Sequence, residues 1–231
     1  MVERAHTIGT YLDKLAARTD LQRDEFLFAG LLVFAYLSGV QAHLLPAVFP
    51  FTRYTTDALL FFICVPLLYF LYRRGQDRRL LYWAFLTYVS TFFIEVAGVA
   101  TGRIFGVYHY GPTMWIQWLN VPLVIALNWT LLILATNDLA ARWVRSPFLA
   151  ALVASILIAA YDFCIEPVAI ALDYWQWATV SVPFQNYLAW SVVALVFSFP
   201  LQYFNIRFQS PLLLVYALAQ LVFFLLLNLF L

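Results

Sequence analysis

The chain has 231 residues, of which 65% are hydrophobic and 11% charged, with a net charge of +1. A soluble domain is about a quarter charged, so 13 basic and 12 acidic side chains are too few to solvate a folded surface of this size, and the near-neutral balance leaves no footprint for nucleic acid. Cys64 and Cys164 each sit inside an apolar run and read as small core residues, which excludes a disulfide scaffold and leaves an integral membrane protein built of helices.

Residues 1–25 mix charges of both signs. Ile8, Leu12 and Leu15 line one face of a short amphipathic surface helix, so the segment reads as a cytoplasmic arm. No apolar core precedes Phe26, which argues against a cleavable signal peptide. Thr19 with Gln22 fits a capping box ahead of the first span.

A spanning helix needs about 20 apolar residues. Seven stretches qualify: Phe26–Leu45, Thr55–Tyr72, Leu80–Ala100, Met114–Thr136, Pro147–Ile170, Pro183–Phe204 and Pro211–Leu231. Each is apolar all round. Runs such as Leu221–Leu227 lack the polar–apolar alternation of a membrane barrel. The expectation is an all-α polytopic membrane protein, with residues 26–231 forming one transmembrane domain without internal repeats.

Basic residues set the orientation. The arm holds Arg4, Lys14, Arg18 and Arg23. On the same side fall Arg73, Arg74, Arg78, Arg79, Arg142, Arg145 and Arg207, against Arg53 and Arg103 opposite. The N-terminus is therefore expected in the cytoplasm and the C-terminus outside.

Several seven-span chemistries are excluded by residue type. A retinal Schiff base needs a lysine in a span, and Lys14 is the only lysine. His6, His43 and His109 are too few and too scattered for a di-iron or zinc centre. Asn137-Asp138 stands alone, without the repeated aspartates that hold magnesium diphosphate, and no glycine-rich phosphate loop occurs. The sequence encodes no metal or cofactor site.

Ionisable groups inside a span are costly and mark function by default. Glu95 lies near the end of span three; Asp162 and Glu166, four apart on one helix face, lie late in span five. Pro167 is expected to break that helix at Glu166. With the orientation above, all three acids fall in the outer half of the membrane. The same side carries Arg103, Tyr108 and Tyr110 after span three, Trp175 and Trp177 after span five, and Asn186 and Trp190 in span six. Asn128 and Trp129 lie mid-span in helix four. Each also has a plainer reading. The tryptophans suit an interfacial belt, Asn128 and Asn186 suit interhelical hydrogen bonds, and Arg103 suits neutralisation of Glu95 or Asp173.

Two blocks resemble a known family. Glu95-x5-Thr101-Gly102-x2-Phe105-Gly106-x-Tyr108-x-Tyr110 is followed by Asp162-x3-Glu166-Pro167-Val168-Ala169, then Tyr174-Trp175-x-Trp177, then Val182-Pro183-x2-Asn186-Tyr187-x2-Trp190. In this order they resemble the bacterial and archaeal membrane carotenoid-biosynthesis family that contains the CruF-type carotenoid 1,2-hydratases. Glu166 departs from the aspartate frequent before that proline, and Val107 from a frequent polar residue; neither removes a carboxylate.

The resemblance implies a hydro-lyase in the cell membrane that adds water across the terminal C1=C2 bond of an acyclic ψ end group. Its substrate would be lycopene, γ-carotene or a bacterioruberin precursor. Such an addition protonates C2 and forms a tertiary cation at C1. Donation needs a carboxyl that keeps its proton, which an apolar environment favours. A second carboxylate deprotonates water, and an aromatic face stabilises the cation by about 0.5–2 kcal/mol. Asp162 and Glu166 are the expected acid–base centre, with Glu95 as third member. Asn186, Tyr108 and Tyr110 would position water, and Trp175, Trp177 and Trp190 would face the cation. A carotene cyclase with similar protonation, and a proton-coupled transporter or binder of a lipophile, are the alternatives.

Overall fold

The computed structural model describes residues 13 and 15–231. The expected arm helix lies mostly outside the described residues, Ile8 and Leu12 included. Among the described residues, seven helices are long and apolar enough to cross a membrane: α1 (Arg23–Leu44), α2 (Thr56–Gly75), α3 (Arg78–Thr101), α4 (Leu123–Trp143), α5 (Pro147–Ala171), α6 (Phe184–Tyr203) and α7 (Pro211–Phe230). Side chains such as Phe34, Phe62, Phe85 and Phe163 stay two-thirds or more exposed on the outer surface. Lipid tolerates that belt; water does not.

Six spans fall within three residues of their expected ends. The fourth is displaced toward the C-terminus at both ends. Residues before it are apolar, yet they form a hairpin: β2 (Gln117–Trp118) pairs with β3 (Val121–Pro122). The two connecting residues, Leu119 and Asn120, have φ of 52° and 63°, as a primed two-residue turn requires. At the far end, the expected span stopped at Thr136, short of Asn137 and Asp138. Both are buried in helix, because Asn137 donates to Ile133 O (2.8 Å) and Ser198 Oγ (2.7 Å) while Arg142 donates to Asp138 (2.6 Å).

Two further expectations are corrected. The cap of α1 is centred on Gln22, whose N–H donates to Glu25 Oε2 at 2.9 Å; the Thr19 hydroxyl donates to Ala16 O instead. Pro167 does not break α5, which continues to Ala171. Pro66 and Pro200 likewise lie inside α2 and α6. Neighbouring helices make such missing bonds tolerable in a bundle.

α4 is the axis of the bundle. It packs against α2, α3, α5, α6 and α7, and 83% of its apolar stretch is buried, against 28–44% for the other six. α5 and α6 form the most extensive pair. α1 packs on α7 rather than on its chain neighbour α2.

One end of the bundle gathers the arginines. Arg73 pairs with Asp24 and, at 3.5 Å, with Glu25; Arg74 pairs with Asp20 and, at 3.4 Å, with Glu25. These pairs tie α1 to α2 there. The opposite end is closed by a two-stranded ribbon, β1 (Tyr108–Tyr110) against β4 (Trp175–Trp177).

Candidate functional site

Glu95 lies on α3, Asp162 and Glu166 on α5, and Asn186 and Trp190 near the start of α6. All sit in the half of the bundle beneath the ribbon. Burial is nearly complete, at 3%, 2% and 3% exposure for the three acids and 3% for Asn186. Among the described residues no arginine, lysine or histidine forms an ion pair with any of them.

Neutral donors take the place of cations. Asn186 Nδ2 donates to Asp162 Oδ2 at 2.6 Å and lies 3.3 Å from Glu166 Oε1, bridging the pair. Glu166 Oε2 accepts from the indoles of Trp175 (2.9 Å) and Trp177 (3.0 Å). The Tyr108 hydroxyl donates to Glu95. Glu166 thus receives three N–H donors, which suits an anion, whereas Asp162 receives one. Burial pushes the Tyr108 and Tyr110 hydroxyls well above the ordinary phenol range, so both stay protonated.

The ribbon explains how two loops reach one cavity. Its register sets Tyr108 opposite Trp177 and Tyr110 opposite Trp175, with His109 opposite Gln176. Side chains alternate along a strand, so the two tyrosines and two tryptophans share the face that lines the cavity, and His109 and Gln176 take the other face. Close approach of the strands depends on glycine: a Cβ on Gly111 would stand 2.0 Å from Asp173 O. Gly106, at φ +113°, adopts a conformation that side chains disfavour.

Aromatic rings complete the lining. Trp129 and Trp190 stack at 4.3 Å between centroids, Phe105 stacks on Trp190 at 5.2 Å, and Tyr108 lies 4.9 Å from Trp177. The cavity bordered by all three acids holds about 20 Å³, enough for one water molecule.

The structure brings Glu95, Tyr108, Tyr110, Asp162, Glu166, Trp175, Trp177, Asn186 and Trp190 to this one cavity. It places two candidates elsewhere. Asn128 Oδ1 accepts from Tyr216 and from Gln220 (2.9 Å), joining α4 to α7. Arg103 is exposed and neutralises neither Glu95 nor Asp173; the nearer cation to Asp173 is Arg53, at 3.7 Å. Sequence reasoning assigned no role to Trp129 or Phe105. An indole beside a mid-span asparagine was the available signal for Trp129. The period-two patterns Tyr-His-Tyr and Trp-Gln-Trp were the signal for the ribbon.

The family of carotenoid biosynthesis proteins matches this chain over residues 54–231. No curated protein and no solved structure matches it.

Proposed function

The chain belongs to the family of carotenoid biosynthesis proteins, and from that membership we propose that it is a carotenoid 1,2-hydratase, a hydro-lyase acting on an acyclic ψ end group. The observation that carries the proposal is the one-water cavity bordered by buried carboxyls and aromatic faces.

Asp162, with one donor on Oδ2, carries the proton and delivers it to C2 of the terminal alkene. The tertiary cation at C1 develops against the indole faces of Trp129, Trp190 and Trp177. Water adds through its oxygen to C1, and Glu166, held as carboxylate by three N–H donors, takes the released proton. Asp162 and Glu166 have then exchanged charge states, and a proton passing between them beside Asn186 restores the start. Glu95, anchored by Tyr108, orients the water. In the orientation set by the arginines, the site lies in the outer half of a bacterial or archaeal cell membrane, with the N-terminus cytoplasmic.

The test is expression in cells that accumulate lycopene. The expected product is a pigment heavier by one water, and Glu95→Gln, Asp162→Asn and Glu166→Gln each reduce it while the protein still inserts. A pigment of unchanged mass with rings closed at its ends identifies a cyclase instead. Full hydration by all three variants overturns the site.

A further inference from the structure

The one-water cavity is too small for a long lipophile. A second, larger space adjoins it. An apolar cleft of about 540 Å³ lies between α1 and α2. Trp129 and Trp175 line both spaces, so two indoles form the partition between cleft and carboxylates.

The cleft follows from how α1 is held. Ion pairs of Arg73 and Arg74 with Asp20, Asp24 and Glu25 clamp α1 to α2 at the arginine-rich end. Toward the ribbon end α1 leans on α7 instead, through Gly39 against Phe223 and through Tyr36, which accepts from Gln220 at 2.9 Å. The two helices therefore diverge as a V whose mouth is on the site side. Its rim includes Leu31, Phe34 and Phe62, exposed at 62%, 68% and 71% on the lipid-facing surface. Its α1 wall includes the small residues Ala35, Gly39 and Ala42 beside Tyr36 and His43, and its α2 wall includes Ala58 beside Leu59. α1 lies outside the residues that match the family.

We propose that this V-shaped cleft binds the extended isoprenoid chain of the substrate, which enters sideways from the lipid between α1 and α2 and presents its end group past Trp129 and Trp175, and that α1 sets the width of chain admitted. The occupant is a linear hydrocarbon chain because the lining is mostly apolar, because the cleft opens toward lipid, and because it ends at the carboxylate cavity. The inference rests on the proposed chemistry only for what happens to the end group; the binding role stands apart from it.

The experiment uses the full chain in a Glu166→Gln background, which slows conversion, purified in detergent from lycopene-accumulating cells. Bound pigment is measured by absorbance per mole of protein. Ala35→Phe and Ala42→Phe narrow the cleft from the α1 side and are expected to lower retained lycopene at least fivefold, whereas Leu37→Phe, on the exposed side of α1 away from the cleft, leaves it unchanged. Each variant is compared as a monodisperse gel-filtration peak. Ala58→Phe narrows the cleft from the opposite wall and carries the same expectation if an α1 variant does not fold. Retention equal to the parent in the phenylalanine variants overturns the proposal. Bound pigment that is never hydrated by the wild-type protein removes the hydratase reading and leaves the cleft intact.

Discussion

The two ends of the bundle use carboxylates in opposite ways. At the arginine-rich end each buried or half-buried acid has a cation: Glu25 has Arg73 and Arg74, Asp77 has Arg79 at 2.7 Å, and Asp138 has Arg142 at 2.6 Å. At the ribbon end Glu95, Asp162 and Glu166 are as deeply buried, and their partners are an amide, two indoles and a phenol. A guanidinium partner fixes a carboxylate as an anion, and the pair serves as a clamp. A neutral donor leaves the proton free to move. Placement of the cations, rather than of the acids, separates the clamp from the proposed site.

That contrast can be broken from either side, and the expected effects descend in size. Glu166→Gln removes the one acid of the candidate site that is held by three N–H donors and sets an amide N–H against indole donors. Hydrated pigment should fall roughly 10²–10⁴-fold, the range of acid–base catalysis, while thermal unfolding in detergent changes little by comparison. Arg142→Gln does the reverse: it leaves Asp138 buried without its cation and should lower stability by about 1–3 kcal/mol, seen in the unfolding midpoint, with product per folded molecule unchanged. Trp177→Phe deletes one of the two indole donors to Glu166 and keeps the aromatic face. Rate should drop about tenfold, or ~1.4 kcal/mol, with insertion unaffected. Asp24→Asn is the mildest, since Asp24 is half exposed. It should reduce stability by about 0.2–1 kcal/mol, and the effect should shrink as salt is added.

Much of the fold was legible because lipid imposes a length. About 20 apolar residues per span gave seven helices in the right order and six with nearly correct ends. The fourth span failed for a specific reason. Apolarity reports burial or lipid contact and says nothing of backbone shape, so Met114–Pro122 looked like helix although Leu119 and Asn120 turn a hairpin. At its other end the expected span stopped at Thr136, short of Asn137 and Asp138. Polar residues signal a loop unless a distant partner satisfies them, and Ser198, on α6, cannot be seen from α4. Pro167 misled in the same way, because local sterics predicted a break that packing overrode.

For the candidate site, scarcity of charge singled out Glu95, Asp162 and Glu166, and helical spacing placed the last two on one face. The sequence by itself determined a helical membrane protein and singled out three acids within its spans. Only the tertiary structure decided that Asn186 bridges two of those acids, that a ribbon pairing residues 65 positions apart (Tyr110 with Trp175) turns four aromatic side chains inward, and that a cleft lies between α1 and α2. Hydropathy is a property of each residue and survives in the sequence. Pairing, register and gaps are properties of residues distant in the chain, and they exist only once the helices have packed.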